Sequence, residues 1–254
     1  MKKDIEYYKR NMEIGSDLIA KEYKIRDNFL LGQPFYLDLL NYIVDIFKVI
    51  LPPKSHILEV SCGTGILAEM LLKELDDISI DVTDISKETL KIVREKTERF
   101  GNRIRFLKKD NSDCSFSGKY DAIYTTDAMR LSFVDYSKLY LNFYNILKKN
   151  GVILIGEDAL PIRRTSKLLM IGDMINDTKT KDNSTKPWRE FTSRKEWVEK
   201  VNGKDILKVV KYYSAECHIA KLKKAGFNEA KMIYQKYNQL IIAGLKGKLS
   251  FRET

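Results

Sequence analysis

The sequence predicts an α/β fold: a doubly wound, mostly parallel sheet of seven strands, with helices covering it at the N-terminus and a helical lid inserted after the fifth strand. Three observations carry this. From Ile57 onward, short apolar runs alternate with amphipathic stretches at helical spacing, which places parallel strands between helices. A small-residue turn, Ser61-Cys62-Gly63-Thr64-Gly65, joins the first strand to a helix. Near the end, two strand-like runs follow each other closely, so the sheet should finish in an antiparallel edge.

Taken in order, residues 4–31 place Ile5, Tyr8, Met12, Ile14, Leu18, Ile19 and Tyr23 at helical spacing, in two short helices interrupted near Gly15. Residues 34–50 form a longer amphipathic helix opened by Pro34 and stopped by Pro52-Pro53. Strands are expected at 57–60, 78–82, 104–107, 120–125 and 152–156, and helices at 65–75, 87–99 and 136–147. Ser86 is placed to cap the second of these helices, and Lys148-Lys149-Asn150-Gly151 turns into the fifth strand.

The rhythm then breaks. Residues 161–214 hold an apolar helix around Leu168 to Ile175, a polar loop, and a helix opened by the capping box Ser193 and Glu196. Residues 206–213 read equally as strand or helix. Alternation returns with a helix at 215–225, the turn Ala225-Gly226-Phe227, and strands at 229–235 and 239–245. One domain over 1–254 is expected, with N-terminal helices in 1–50 and a substrate-recognition insertion in 161–214.

The 254 residues, 44% hydrophobic and 31% charged, suffice for one sizeable core. No apolar run approaches the ~18 residues of a membrane span, and the start is charged, so a cytoplasmic protein that does not enter membranes is expected. Three scattered cysteines and two histidines suggest neither a disulfide framework nor a metal site. The net charge of +10 is concentrated in residues 161–254, which carry 21 basic and 10 acidic groups. Such a region attracts nucleic acid or acidic substrates, and a solvated basic face accounts for it equally.

Chemistry concentrates at the strand ends. A glycine turn opening a helix brings backbone N–H groups close to a ligand. Glu59 lies within the first strand, and Asp84 and Asp110 end the second and third, where ligands of such sheets bind. The glycine turn alone also fits the Gly-x-Gly-x-x-Ala form of nicotinamide dinucleotide sites, with Ala68 in the last place. Asp121 reads as a structural turn residue and Asp81 as solvent-facing.

The spacing Glu59-x-Ser61-x-Gly63-x-Gly65 resembles motif I of the class I S-adenosylmethionine-dependent methyltransferases. Ser61 stands where the first glycine is expected, and a positive φ there would strain a serine. Asp84-Ile85-Ser86, Asp110-Asn111, Tyr120-Asp121-Ala122-Ile123, Leu147 to Gly151 and Ala225-Gly226-Phe227 resemble the later motifs, so the resemblance spans about residues 35–160 and 215–246. It implies S-adenosylmethionine as cofactor and S-adenosylhomocysteine as product. Glu59, Ser61, Gly63 and Gly65 would lie at the methionine end, Asp84 and Ile85 at the ribose, and Asp110 and Asn111 at the adenine.

Methyl transfer would occur beside the ends of strands four and five. Asp127, Glu157 and His218 are the catalytic candidates, His218 reading equally as an ordinary helix-face histidine. Arg130, Arg163, Arg164, Tyr7 and Tyr8 are the substrate-binding candidates, the arginine forks suiting an anionic acceptor. The fourth strand ends in Thr125-Thr126-Asp127-Ala128, not the Asn/Asp-Pro-Pro-Tyr of many base methyltransferases. There is no Pro-Cys nucleophile and no appended RNA-binding module. The helical cover and insertion resemble the small-molecule branch, which implies an O- or N-methyltransferase acting on a small metabolite by in-line transfer. Two alternatives stand beside it: a tRNA or rRNA methyltransferase using the basic C-terminal part, and a non-catalytic S-adenosylmethionine-binding or interaction protein. The oligomeric state is not set by the sequence.

Overall fold

In the computed structural model, the structure describes residues 4–21, 23, 24, 27, 36–158, 209–236 and 239–249. Helix α1 (Ile5–Ala20) and helix α2 (Tyr36–Ile50) precede the sheet. Strands β1 (His56–Val60), β2 (Ser79–Asp84), β3 (Ile104–Lys108), β4 (Tyr120–Thr126) and β5 (Leu147–Asp158) alternate with helices α3 (Ile66–Glu74), α4 (Lys87–Thr97) and α5 (Tyr136–Ile146). Helix α6 (Ala215–Ala225) leads to strands β6 (Glu229–Lys236) and β7 (Gln239–Leu245).

The seven strands lie in the order β3-β2-β1-β4-β5-β7-β6, parallel from β3 to β5, with β7 antiparallel to both β5 and β6. The chain reverses direction across the sheet between β1 and β4, so the crevice outside their carboxyl ends is the natural ligand site. Both sheet faces are covered, which explains the nearly continuous apolar strands. Ile57 joins the core formed with α2, α3 and α4, while Leu58 and Val60 join the core formed with α5 and α6. Helix α2 buries Leu39, Leu40, Ile43, Val44 and Phe47 in the first core, each contributing about 1.5–3 kcal/mol.

The helix ends follow the local sequence. Ser86 Oγ accepts from Thr89 N at 2.9 Å to start α4, Asp135 accepts from Ser137 N and Lys138 N to start α5, and Gly226 closes α6 at φ 110°. Three expectations change. Helix α1 runs unbroken through Gly15, which is buried. The cost of a mid-helix glycine, about 1 kcal/mol, is offset by packing against α4. The turn before the fifth strand is a bulge inside β5: Leu147 already pairs with Tyr120, and Asn150 at φ 67° absorbs the irregularity.

Asp81 is buried rather than solvent-facing. Tyr120 OH donates to it at 2.7 Å and Arg105 Nε at 2.9 Å, and His56 Nε2 lies 3.1 Å away. Burial would push its carboxyl up, but these partners hold it well below the usual carboxylate range. Asp121 is a structural group, accepting from His56 N and Lys148 Nζ, both at 2.8 Å. Of the expected insertion 161–214, only residues 209–214 lie among those described; there Val210 bridges antiparallel to Leu131. Among the described residues, no helix is long and apolar enough to cross a membrane, and no cluster of metal-ligating side chains occurs.

Candidate active site

A cleft of about 290 Å³ lies outside the carboxyl ends of β1 to β4. Its floor is the turn from β1 into α3, where Ser61, Gly63 and Gly65 all have positive φ, at 57°, 52° and 72°. The two glycines serve different needs. A Cβ on Gly63 would meet nothing within 4 Å, so its backbone is open to the cleft, whereas a Cβ on Gly65 would come within 2.6 Å of Val93 Cγ1 and push α3 away from α4. Ser61 is held despite its strained backbone because Asn111 Nδ2 donates to its Oγ at 2.8 Å. Cys62 N donates to Thr83 O at 2.8 Å, which ties the turn to the end of β2.

Three carboxylates line this end. Asp84 is fixed through both oxygens, Gly63 N donating to Oδ2 at 3.1 Å and Ser86 N to Oδ1 at 3.0 Å. Asp110 accepts from Ser112 N at 2.8 Å, and its Oδ2 lies 3.2 Å from Lys9 Nζ. Glu59 is 2% exposed, and its Oε2 has no hydrogen-bond partner among the described residues. Burial raises its pKa to about 8; the Tyr124 hydroxyl and Lys96 act downward, and the Asp84 charge acts upward.

The far end is built where β4 stops. Asp127 N donates to Gly156 O at 2.9 Å, and a positive φ of 55° at Asp127 then turns the chain. Ala128 N and Met129 N consequently point at Glu157 Oε1, at 2.8 and 2.5 Å. Arg130 pairs with Asp127 Oδ1 at 2.5 Å, lies 3.7 Å from Glu157 Oε2, and covers the Tyr212 ring at 5.5 Å. Arg130 O and Ser132 N bond to Lys211 N and Val209 O, both at 2.7 Å, and Leu131 N donates to Tyr136 OH. Burial raises Glu157 to about 8, with Arg130 lowering it and Asp127 raising it.

A family described as a methyltransferase domain matches residues 57–151, the span from β1 to the bulge of β5. The carboxy-S-adenosyl-L-methionine synthase of Nautilia profundicola is 25% identical over 202 residues, covering 80% of this chain and 82% of its own. Malonyl-[acyl-carrier protein] O-methyltransferase 1 of Ilyobacter polytropus is 31% identical over 134 residues, 53% of this chain and 47% of its own. Among solved structures, the S-adenosylmethionine-dependent methyltransferase SibL superposes with a TM-score of 0.57 at 16% identity, over 82% of this chain and 55% of its own. The chain therefore spans about half the length of the latter two. The matched span is a methyltransferase domain, and these similarities support a class I S-adenosylmethionine-dependent methyltransferase.

S-adenosylmethionine is the cofactor of that family, and the cleft of this methyltransferase fits it. The buried Glu59 oxygen calls for a hydrogen-bond donor, and the open space over Gly63 lets a ligand approach the backbone. Of the residues singled out in the sequence, Glu59, Ser61, Gly63, Asp84, Ile85, Asp110, Asn111, Asp127 and Arg130 all line this cleft. Gly65 stands behind it as the N-cap of α3.

Glu157 stands behind the 127–130 loop. Tyr8 stacks at 6.2 Å on Phe133, which lines the cleft, and Tyr7 meets Tyr8 edge-on at 5.4 Å. Arg163 and Arg164 lie outside the described residues. His218 is corrected: it does not line the cleft but is buried in the second core, its Nδ1 2.6 Å from Tyr140 OH, and burial lowers its pKa to about 4. It is a packed core histidine, the bland alternative its sequence context allowed. The sequence reading missed Lys9, Met12 and Ser16 of α1 and Phe133 after β4, all of which line the cleft.

Proposed function

We propose that this chain transfers the methyl group of S-adenosylmethionine to an oxygen or nitrogen of a small metabolite. The observation that carries the reading is one continuous cleft with three carboxylates and an open glycine backbone at one end, and an Asp127–Arg130 pair at the other. Bound S-adenosylmethionine supplies an electrophilic methyl group on sulfur.

In this reading Glu59 accepts from the donor's amine, Asp84 from its ribose hydroxyls, and Asp110 from its adenine amine, with Ile85 against the ring. Gly63 lets the backbone reach the methionine portion, while Ser61, Asn111 and Gly65 hold the turn. At the other end, Asp127 orients the acceptor and takes its proton when the nucleophile arrives protonated. Positioning and exclusion of water supply the rest of the acceleration, with Phe133 and α1 walling the cleft.

An anionic acceptor is favoured by Arg130, a cationic side chain that lines the cleft beside Asp127. The names of two relatives support a small acceptor group: malonyl-[acyl-carrier protein] for one, and demethylmenaquinone for another, from Bacteroides fragilis, 32% identical over 112 residues. The deciding experiment incubates the full chain with S-adenosylmethionine and a panel of small carboxylates, phenols and amines, reading S-adenosylhomocysteine release. Release with a small acceptor, weakened by Asp127→Asn, supports the proposal. Release only with tRNA or rRNA overturns it in favour of an RNA enzyme, and donor binding without release from any acceptor overturns it in favour of a binding protein.

A further inference from the structure

Helix α1 is attached to the body in an unusual way. Among the described residues it contributes no member to either hydrophobic core. Besides its packing against α4 and the Tyr8–Phe133 stack, it is tied by polar contacts to the ends of β2 and β3: Glu13 to Lys108, Asp17 to Ser86 Oγ at 2.5 Å, and Lys9 to Asp110 and Asp113. Lys9, Met12 and Ser16, spaced three and four residues apart, form one helical stripe, and all three line the cleft. Within that stripe, Lys9 bonds an acid that also lines the cleft.

The contact geometry is specific. Lys9 Nζ lies 3.2 Å from Asp110 Oδ2 and 3.1 Å from Asp113 Oδ1, while Ser112 N donates to Asp110 Oδ1 at 2.8 Å. Each oxygen of Asp110 thus has a fixed partner on a different side, which sets the plane of the carboxylate and leaves a lone pair on each for a ligand. The Lys9 and Asp110 side chains are each 20% exposed, so the pair is partly sheltered from screening. Burial works against the ammonium, but its hydrogen bonds to Asp113 and Asp110 outweigh that and hold its pKa above the ordinary lysine value.

We infer that Lys9 is a positioning residue of the donor site: carried over the cleft by α1, it orients Asp110 to accept the 6-amino group of the donor's purine. The inference rests on the donor-site reading above and deepens it, since it makes an element outside the matched domain part of purine recognition. The alternative is that Lys9 merely tethers α1.

The test uses the full chain and two ligands that differ only along one purine edge, S-adenosylhomocysteine and S-inosylhomocysteine, which carries an oxo group at position 6 and a proton on N1. Calorimetry gives both affinities for the wild type, Lys9→Ala, Lys9→Met, Lys9→Arg and Asp110→Ala, with thermal melts to verify folding. Lys9→Met keeps the packed stem in case Lys9→Ala fails to fold. The expected result is that removing the ammonium narrows the preference for the amino purine by about fivefold, and that Lys9→Arg restores it. A preference unchanged in Lys9→Met, or an equal loss for both ligands, overturns the inference. Asp110→Ala separates the two levels: if it abolishes the preference while the Lys9 variants do not, only Lys9 positioning fails; if it leaves the preference intact, the donor-site reading itself fails at the adenine.

Discussion

Glu59→Gln probes the donor site through its protons. The carboxyl of Glu59 is buried, one oxygen lacks a partner among the described residues, and burial raises its pKa to about 8. At pH 7 such a group is roughly nine-tenths protonated, and ionising it costs about 1.4 kcal/mol. A ligand ammonium docking on Glu59 requires the ionised form, so binding S-adenosylhomocysteine at pH 7 should release about 0.9 proton, and affinity should rise nearly tenfold per pH unit from roughly pH 6 to 8 before levelling off. Calorimetry in two buffers of different ionisation enthalpy measures that proton directly. In Glu59→Gln the released proton and the pH dependence should both vanish, with affinity at pH 8 lower by about tenfold or more. Binding that releases no proton in the wild type, and is equally tight in the variant, would refute the assignment of Glu59 to the ligand amine.

Other perturbations separate structure from function. Gly65→Ala should destabilise the fold by about 1–3 kcal/mol in denaturant unfolding, because its Cβ meets Val93; Gly63→Ala should cost about 1 kcal/mol of backbone strain yet reduce S-adenosylhomocysteine affinity more than Gly65→Ala does. Asp84→Ala should weaken that ligand about a hundredfold, two hydrogen bonds to a charged group being lost, and an affinity within twofold of wild type would contradict the ribose role. Glu157→Ala leaves Ala128 N and Met129 N without their acceptor and should lower stability by about 2–4 kcal/mol, whereas Glu157→Gln keeps an acceptor oxygen. Because the folded pKa of Glu157 is raised from 4.5 to about 8, the native state holds its proton more tightly; the stability advantage of wild type over Glu157→Gln should therefore fall between about pH 4.5 and 8 and flatten above that.

The sheet was largely legible because each strand is a short apolar run bounded by a polar or glycine turn, and Asp84, Asp110 and Asp127 lie at or just past strand ends, where the chain must leave the core. The strained position of Ser61 was also visible in advance, since it replaces a glycine in an otherwise regular pattern, and its φ of 57° agrees. Its retention makes energetic sense: about 1 kcal/mol of left-handed strain is opposed by the 2.8 Å hydrogen bond from Asn111.

What escaped depends on partners far away in the chain. Asp81 is buried because His56, Arg105 and Tyr120 arrive from three other strands. His218 is neutralised by burial against Tyr140, 78 residues away. Strand β5 starts early because Leu147 pairs with Tyr120, a register that a local reading of the Lys-Lys-Asn-Gly run cannot contain. Lys9 was passed over for the neighbouring tyrosines because apolar spacing marks the packed side of a helix, while the stripe facing the cleft, Lys9-Met12-Ser16, is mostly polar and differs from Tyr8 by one residue.

The account stands most directly on where the donor lies, and a crystal structure of the full chain with S-adenosylhomocysteine measures that. It should place the ribose hydroxyls within hydrogen-bonding distance of Asp84, the amine on Glu59 and the purine 6-amino group on Asp110, with the sulfur directed toward Asp127. The ligand bound outside this cleft, or with its ribose turned away from Asp84, would contradict it.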